Sequence, residues 1–176
     1  MNNVLLVIDM QNDFVDGALG TKEAQAIVPA VISRIKKAKE DKEEIYFTRD
    51  CHFDDYLETQ EGRNLPVKHC ISGTEGFELI PEVKELAAGK MVVDKPGFGS
   101  VNLAGLLKGV HQFNPIDQIT LIGLCTDICV ICNAMLLKAA LPEIPLVVEQ
   151  SCCAGVTPES HENALKAMAM CQIKIV

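Results

Sequence analysis

Apolar runs and amphipathic segments alternate along the chain. Short runs rich in Val, Ile and Leu are typical of buried strands, whereas apolar residues every three or four positions are typical of helices. The predicted strands span residues 3–9, 43–50, 90–95, 118–124, 144–150 and 172–176. The predicted helices span residues 23–40, 81–87, 100–109, 127–141 and 157–170. Because strands and helices alternate, the pattern predicts a three-layer α/β/α sandwich around a parallel sheet.

Composition and charge fit this architecture. A length of 176 residues predicts a single domain over residues 1–176, with enough chain to bury a large core. Apolar residues make up 48% of the chain, which favours a sheet covered on both faces. The net charge of −8 disfavours nucleic acid and anionic membranes as partners.

The sequence also bears on the cellular compartment. It contains no run of about 18 apolar residues, so no membrane span is predicted. The first residues, "MNNVLLVIDMQND", lack the basic start and the small-residue cleavage site of a signal peptide. We therefore expect a cytoplasmic protein whose eight cysteines are thiols rather than a disulfide framework.

Polar residues stand at the ends of the predicted strands, where parallel sheets bind their ligands. The first strand ends in Asp9, the second in Asp50 and the third in Lys95. The fourth strand leads into a turn that contains Cys125 and Cys129. Taken singly, Asp9 can cap the next turn and Lys95 can be a solvated lysine. Their joint placement with a thiol favours a catalytic site at one edge of the sheet.

Cys129 is the most informative thiol, because it lies in the first turn of the predicted helix 127–141, with Asp127 as candidate N-cap. The positive end of a helix favours a thiolate, and its free amides can bind an oxyanion. Two alternatives remain: Cys129 is a small buried core residue, or it pairs with Cys132 as a C-x-x-C redox or zinc site. A zinc site lacks a second cluster with C-x-x-C spacing, since only Cys152 and Cys153 are available.

The loop of about thirty residues after the second strand carries a second set of polar residues, and loops of this length usually carry function. Asp50 and His52 are two residues apart, His69 follows seventeen residues later, and Glu58 or Glu61 lies between them. Two histidines with carboxylates suit zinc, iron or manganese. The alternative is an acidic solvated loop with two incidental histidines.

Six motifs, in this order, resemble those of the isochorismatase-like cysteine hydrolases, which include nicotinamidases and N-carbamoylsarcosine amidases. They are "VIDMQNDF", "TRDCH", "HCISGTEG", "DKPGFGS", "GLCTDICV" and "SHENALKAM". The resemblance spans essentially the whole chain. It implies a six-stranded parallel sheet with strand order 3-2-1-4-5-6, and an amidase rather than the cysteine-free isochorismatase itself.

The resemblance also implies roles for individual residues. Asp9, Lys95 and Cys129 match the catalytic triad, with a cis peptide entering Cys125 and the amides of Cys125 and Cys129 as oxyanion hole. Asp9 would take the thiol proton, and a thioester would form and then be hydrolysed. Relatives are commonly homo-oligomers, so we expect one here.

Within this family the loop is similar to that of nicotinamidases, where such residues bind a divalent metal that helps to seat the substrate. The expected ligands are Asp50, His52, His69 and a glutamate, with Glu58 as first choice and Glu61 as second. The resemblance implies a small-molecule amide substrate, with nicotinamide first and an N-carbamoyl or ureido compound second. The expected walls of its pocket are Phe14 and Leu65. A non-catalytic binding protein on the same fold is the alternative from another functional class.

Overall fold

The computed structural model describes residues 2–176 and confirms the parallel sheet. Its strands lie in the order β3-β2-β1-β4-β5-β6, and each neighbouring pair is parallel. They are β1 Asn3–Ile8, β2 Glu44–Asp50, β3 Met91–Lys95, β4 Gln118–Leu124, β5 Leu146–Ala154 and β6 Lys174–Ile175. The winding direction reverses between β1 and β4, which is the point where such sheets bind ligands.

Helices cover both faces of the sheet. They are α1 Asn12–Val15, α2 Lys22–Glu40, α3 Gln60–Asn64, α4 Pro81–Leu86, α5 Val101–Phe113, α6 Ile131–Ala140 and α7 Pro158–Met170. Successive side chains of β1 enter opposite cores, because strand side chains alternate between faces. Leu5 packs in the core beneath α2 and α4, whereas Leu6 packs in the core beneath α5, α6 and α7.

Two predicted boundaries differ from the structure. The helix predicted at 127–141 begins with a π-helical turn, Thr126–Val130, before α6 starts. The fifth strand continues to Ala154, and its pairing with β4 resumes after a register shift between Leu121 and Gly123. The other elements agree with the prediction to within a few residues at either end.

The long connection between β2 and α4 lies against the carboxyl ends of the central strands. It contains a 3₁₀ turn, Tyr56–Glu58, and helix α3. A bridge between Gln11 and Leu79 ties it to the segment that follows β1, and a bridge between His52 and Ile71 joins two parts of the connection itself. The connection therefore forms one wall of the ligand-binding edge.

The eight cysteines are all free thiols, with Cys129 buried and Cys171 exposed. Across residues 2–176, no helix is both long enough and apolar enough to cross a membrane.

Candidate active site

Three of the strand-end residues meet beyond the carboxyl ends of the central strands. Asp9 follows β1, Lys95 ends β3, and Cys129 lies in the π-helical turn after β4. The Lys95 Nζ atom lies 2.7 Å from Asp9 Oδ2 and 3.4 Å from Cys129 Sγ. All three residues are buried, so little water screens their charges.

The Asp9 carboxylate is held from two sides. The Thr48 hydroxyl donates a hydrogen bond of 2.6 Å to Oδ1, and Lys95 forms an ion pair with Oδ2. The ion pair is close but lacks the geometry of a directed hydrogen bond, and no other donor within residues 2–176 bonds to Oδ2. Oδ2 therefore keeps a lone pair that can accept a proton.

Burial and charge set the protonation of this group. Burial raises the pKa of Asp9, and the Lys95 charge opposes that shift. Burial alone would lower the pKa of Lys95, but the charges of Asp9, Cys129 and Asp50 raise it above its ordinary value. Burial and then the Asp9 charge raise the pKa of Cys129 well above its ordinary value. Burial therefore favours the neutral thiol of Cys129, whereas the 2.7 Å contact with Lys95 favours the charged carboxylate of Asp9.

Two expectations about the start of the Cys129 helix are corrected. Asp127 does not cap it, because its carboxylate accepts hydrogen bonds of 3.1 and 3.2 Å from the Val156 amide. The expected low pKa of the Cys129 thiol is also wrong for the resting site. Burial and the Asp9 charge disfavour the charged form of the thiol there.

The backbone around Cys125 provides candidate hydrogen-bond donors next to the thiol. The Leu124–Cys125 peptide bond is cis, as the family resemblance implies. The Cys125 carbonyl accepts hydrogen bonds from the amides of Ile128 and Val130, at 3.1 and 3.0 Å. In the described part of the chain, the amides of Cys125 and Cys129 have no acceptor outside this turn. The Cys125 amide can therefore donate to an oxygen atom of a ligand, and the Cys129 amide, within the turn, is the second candidate donor.

A second group of side chains lies next to Lys95. Ligand atoms of Asp50, His52, Glu61 and His69 all lie within 4.8 Å of one another. The Nε2 atoms of His52 and His69 lie 2.8 and 3.5 Å from Asp50 Oδ2. The other oxygen, Asp50 Oδ1, lies 3.3 Å from Lys95 Nζ. Asp50 therefore contacts both the histidines and the lysine.

The chemistry of this second group fits a divalent cation. His52 Nε2 is buried and forms no directed hydrogen bond within residues 2–176. His69 Nδ1 lies 2.9 Å from the Val67 carbonyl, so Nδ1 is the donor and Nε2 keeps its lone pair for the group. Burial alone would lower the pKa of His52, but Asp50 and Glu61 raise it to about 9, so the group attracts positive charge. Carboxylate and imidazole ligands suit zinc, iron or manganese.

Glu61 rather than Glu58 completes this group, which corrects the first choice made from the sequence. Glu58 is exposed at the end of the 3₁₀ turn, and its carbonyl accepts a hydrogen bond from Arg63. Thr59 then caps α3 by accepting a hydrogen bond from the Gly62 amide. Because α3 starts a new turn, Glu61 lies in the group with the histidines while Glu58 remains outside it.

Cys129 of the first group and all four residues of the second group line one cavity of about 520 Å³. Its lining includes Cys125 and Cys129 together with the four metal-competent residues. Phe14 and Leu65, the expected pocket walls, both line it. The Phe14 ring lies 5.6 Å from the His69 ring, so an apolar wall stands beside the imidazole.

Three polar side chains that were not predicted from the sequence hold the site. Gln11 donates to the Asp50 carbonyl at 2.9 Å and accepts from the Asp50 amide at 2.7 Å. Asn133 donates to the Cys129 carbonyl at 2.8 Å, and Thr48 binds Asp9. A polar residue within an apolar run, such as Thr48 after "IYF", is the signal that indicates such a role.

Fold and cavity place the chain in the class of doubly wound α/β/α proteins that bind a ligand at the switch point of the sheet. More specifically, the chain belongs to the isochorismatase family, whose Isochorismatase domain model matches residues 3–176. It is 27% identical to the nicotinamidase/pyrazinamidase of Mycobacterium tuberculosis, over 98% of this chain and 97% of that protein.

Solved structures show the same likeness. The pyrazinamidase of Pyrococcus horikoshii, in complex with zinc, is 29% identical with a TM-score of 0.83, over 100% of this chain and 99% of that chain. The pyrazinamidase/nicotinamidase of Streptococcus mutans UA159 is 27% identical with a TM-score of 0.87, over 99% of this chain and 100% of that chain. Family and relatives support an amide hydrolase, and the zinc complex together with the four-residue group supports a divalent metal.

Proposed function

We propose that this protein hydrolyses a small carboxamide through a thioester on Cys129, with nicotinamide as the leading substrate. One observation carries the proposal: a single cavity is lined by a buried thiol and by a group suited to a divalent cation. Lys95 contacts Cys129 on one side and Asp50 on the other. The names of the relatives, nicotinamidase and pyrazinamidase, support the same substrate class.

The reaction begins with a proton transfer. The free lone pair of Asp9 Oδ2 accepts the proton of the Cys129 thiol, and the resulting thiolate attacks the carbonyl carbon of the amide. The Lys95 ammonium lies 3.4 Å from the sulfur, so it stabilises the negative charge that forms there. The proton moves from Cys129 to Asp9, so the net charge of the buried site does not change. The transfer is therefore possible even though the pKa of the Cys129 thiol is raised.

The attack places negative charge on the carbonyl oxygen. The backbone amides of Cys125 and Cys129 are the candidate donors to that oxygen. Loss of one such donor typically costs on the order of a hundredfold or more in rate. Asn133 supports the arrangement, because its amide group binds the Cys129 carbonyl and so holds the turn.

Collapse of this intermediate releases ammonia and leaves an acyl thioester on Cys129. The protonated Asp9 gives its proton to the leaving nitrogen as the carbon–nitrogen bond breaks. Asp9, again ionised, then takes a proton from a water molecule, which attacks the thioester and frees the carboxylic acid. The thiol regains the proton, so the cycle closes without a net change in the enzyme.

Asp50, His52, Glu61 and His69 would hold a divalent cation in the same cavity as Cys129. Such an ion supplies a Lewis acid that binds a donor atom of the substrate. Phe14 and Leu65 add apolar surface against a flat ring. The cation and the apolar walls would then fix the position of the substrate, while Cys129 carries out the chemistry.

Ammonia release from a panel of amides tests the proposal. We expect release from nicotinamide and pyrazinamide, and none from the Cys129→Ala variant under the same conditions. Release from N-carbamoyl or ureido compounds alone would keep the amidase chemistry and replace the substrate. No release from any amide, with a folded protein loaded with zinc or manganese, would support the non-catalytic alternative.

A further inference from the structure

We infer that Thr48 is a positioning residue that keeps the shared proton of the resting site on Cys129 and the negative charge on Asp9. The inference rests on the proposed function in one respect, the role of Asp9 as proton acceptor for Cys129. The relevant geometry is a pair of hydrogen bonds that join one hydroxyl to the backbone and to the carboxylate of the same residue.

The two hydrogen bonds give the Thr48 hydroxyl a fixed direction. The Asp9 amide donates to Thr48 Oγ1 at 3.2 Å, so that oxygen already acts as an acceptor. Its own hydrogen is then directed to Asp9 Oδ1, at 2.6 Å. Thr48 is 1% exposed and Asp9 is 0% exposed, so water does not compete for either group.

This hydrogen bond distinguishes the two carboxylate oxygens. Oδ1 is occupied by Thr48, whereas Oδ2 faces Lys95 and is the oxygen left for the thiol proton. A hydroxyl that donates to a carboxylate stabilises the charged form more than the neutral form. Thr48 therefore opposes transfer of the Cys129 proton to Asp9 in the absence of substrate.

The charged groups around Asp9 come from every strand end that packs against it. Lys95 at the end of β3 favours the carboxylate, and Asp50 at the end of β2 disfavours it. Cys129 approaches from the π-helical turn after β4. Thr48 is the neutral donor of this set, so replacing it changes the proton balance without changing the net charge of the site.

Two resting arrangements then compete: ionised Asp9 with a Cys129 thiol, and protonated Asp9 with a Cys129 thiolate. The second differs from the first only by movement of one proton from Sγ to Oδ2. Removing the Thr48 hydroxyl destabilises the first arrangement, so the thiolate fraction rises. A hydrogen bond to a charged group typically changes the equilibrium constant between two such arrangements by roughly ten- to a hundredfold.

The test is the rate at which iodoacetamide alkylates Cys129, measured by peptide mapping of the full chain. Iodoacetamide reacts with the thiolate and not with the thiol. Cys129 of the Thr48→Val variant should therefore be alkylated at least about tenfold faster than Cys129 of the wild type. Valine has the shape of threonine and suits a strand, and Thr48→Ser retains the hydroxyl and should behave as wild type. The exposed Cys171 serves as an internal standard whose rate should not change.

Thr120→Val is the matched control, because Thr120 is also a buried threonine of the central sheet, and its hydroxyl binds only Gln118 in the described chain. An unchanged or slower rate in Thr48→Val would overturn the inference, as would Thr48→Ser behaving like Thr48→Val. A structural defect would instead speed alkylation of other buried thiols such as Cys153. Alkylation needs no amide substrate, so the alkylation rates can be interpreted even if the protein hydrolyses none of the amides in the panel.

Discussion

At the scale of single residues, the site is a balance of buried charges around Lys95. Its ammonium lies next to two carboxylates, those of Asp9 and Asp50, and next to the Cys129 sulfur. One ammonium does not neutralise two buried carboxylates, and uncompensated buried charge is costly. The histidines and a cation bound beside Asp50 would supply the remaining positive charge. Lys95 would then be left to act on Cys129 and Asp9 in the proposed reaction.

The first prediction compares two thiols three residues apart. Cys129→Ala should lower turnover more than about a thousandfold, because removal of a nucleophile leaves only binding and oxyanion stabilisation. Cys132→Ala should retain most of the activity, since Cys132 does not line the cavity. Ammonia release measures both, and circular dichroism checks that each variant is folded. Equal loss in the two variants would remove Cys129 from its proposed role.

The second prediction, at the scale of elements, concerns the short helix α3. Its start at Thr59 places Glu61 beside the two histidines and leaves Glu58 exposed. Glu61→Ala should therefore reduce the content of bound zinc or manganese and raise KM more than it lowers kcat. Glu58→Ala should bind the ion as the wild type does. Elemental analysis after purification without chelator decides between them, and loss of the ion in Glu58→Ala would contradict the assignment.

The third prediction concerns the contact between β1 and β4. Gly123 has φ 116°, and a Cβ atom there would lie 2.1 Å from the Ile8 carbonyl oxygen. Gly123→Ala should lower the free energy of unfolding by more than about 2 kcal/mol, because neither the conformation nor the backbone contact can accept a side chain. Gly105→Ala is the control, since nothing lies near its Cβ position within α5. Denaturant unfolding measures the free energy of unfolding of both variants. That of Gly105→Ala should equal or exceed the wild-type value.

Most elements were predictable because their patterns are local. Runs such as "VLLVI" are apolar throughout, as strands covered on both faces must be, so the strands and their order follow from the sequence and the family resemblance. The choice between Glu58 and Glu61 was not predictable from the sequence, because it depends on where a 3₁₀ turn ends and α3 begins. The raised pKa of Cys129 was not predictable either. It comes from burial and from the charges of Asp9 and Asp50, which are distant in sequence.

At the scale of the whole molecule, the metal-competent group joins the sheet to the long connection that covers its edge. Asp50 belongs to β2, Glu61 to α3, and His52 and His69 to the loop between β2 and α4. An ion bound by all four would fix this loop against the sheet. The unfolded chain holds these ligands at no fixed distance, so the ion would bind the folded state far more tightly.

The fourth prediction follows from this linkage. After chelator treatment, added zinc or manganese should raise the Tm of the wild type, because a ligand at one hundred times its Kd stabilises the folded state by about 2.7 kcal/mol. For a chain of this size each kcal/mol corresponds to roughly 2–4 °C, so a shift of about 5–10 °C is expected. His52→Ala should show little or no shift, whereas Glu58→Ala should shift as the wild type does. If the ion raised the Tm of His52→Ala by as much as that of the wild type, it would be binding elsewhere. The cavity would then have to hold its substrate through Phe14, Leu65 and the backbone amides alone.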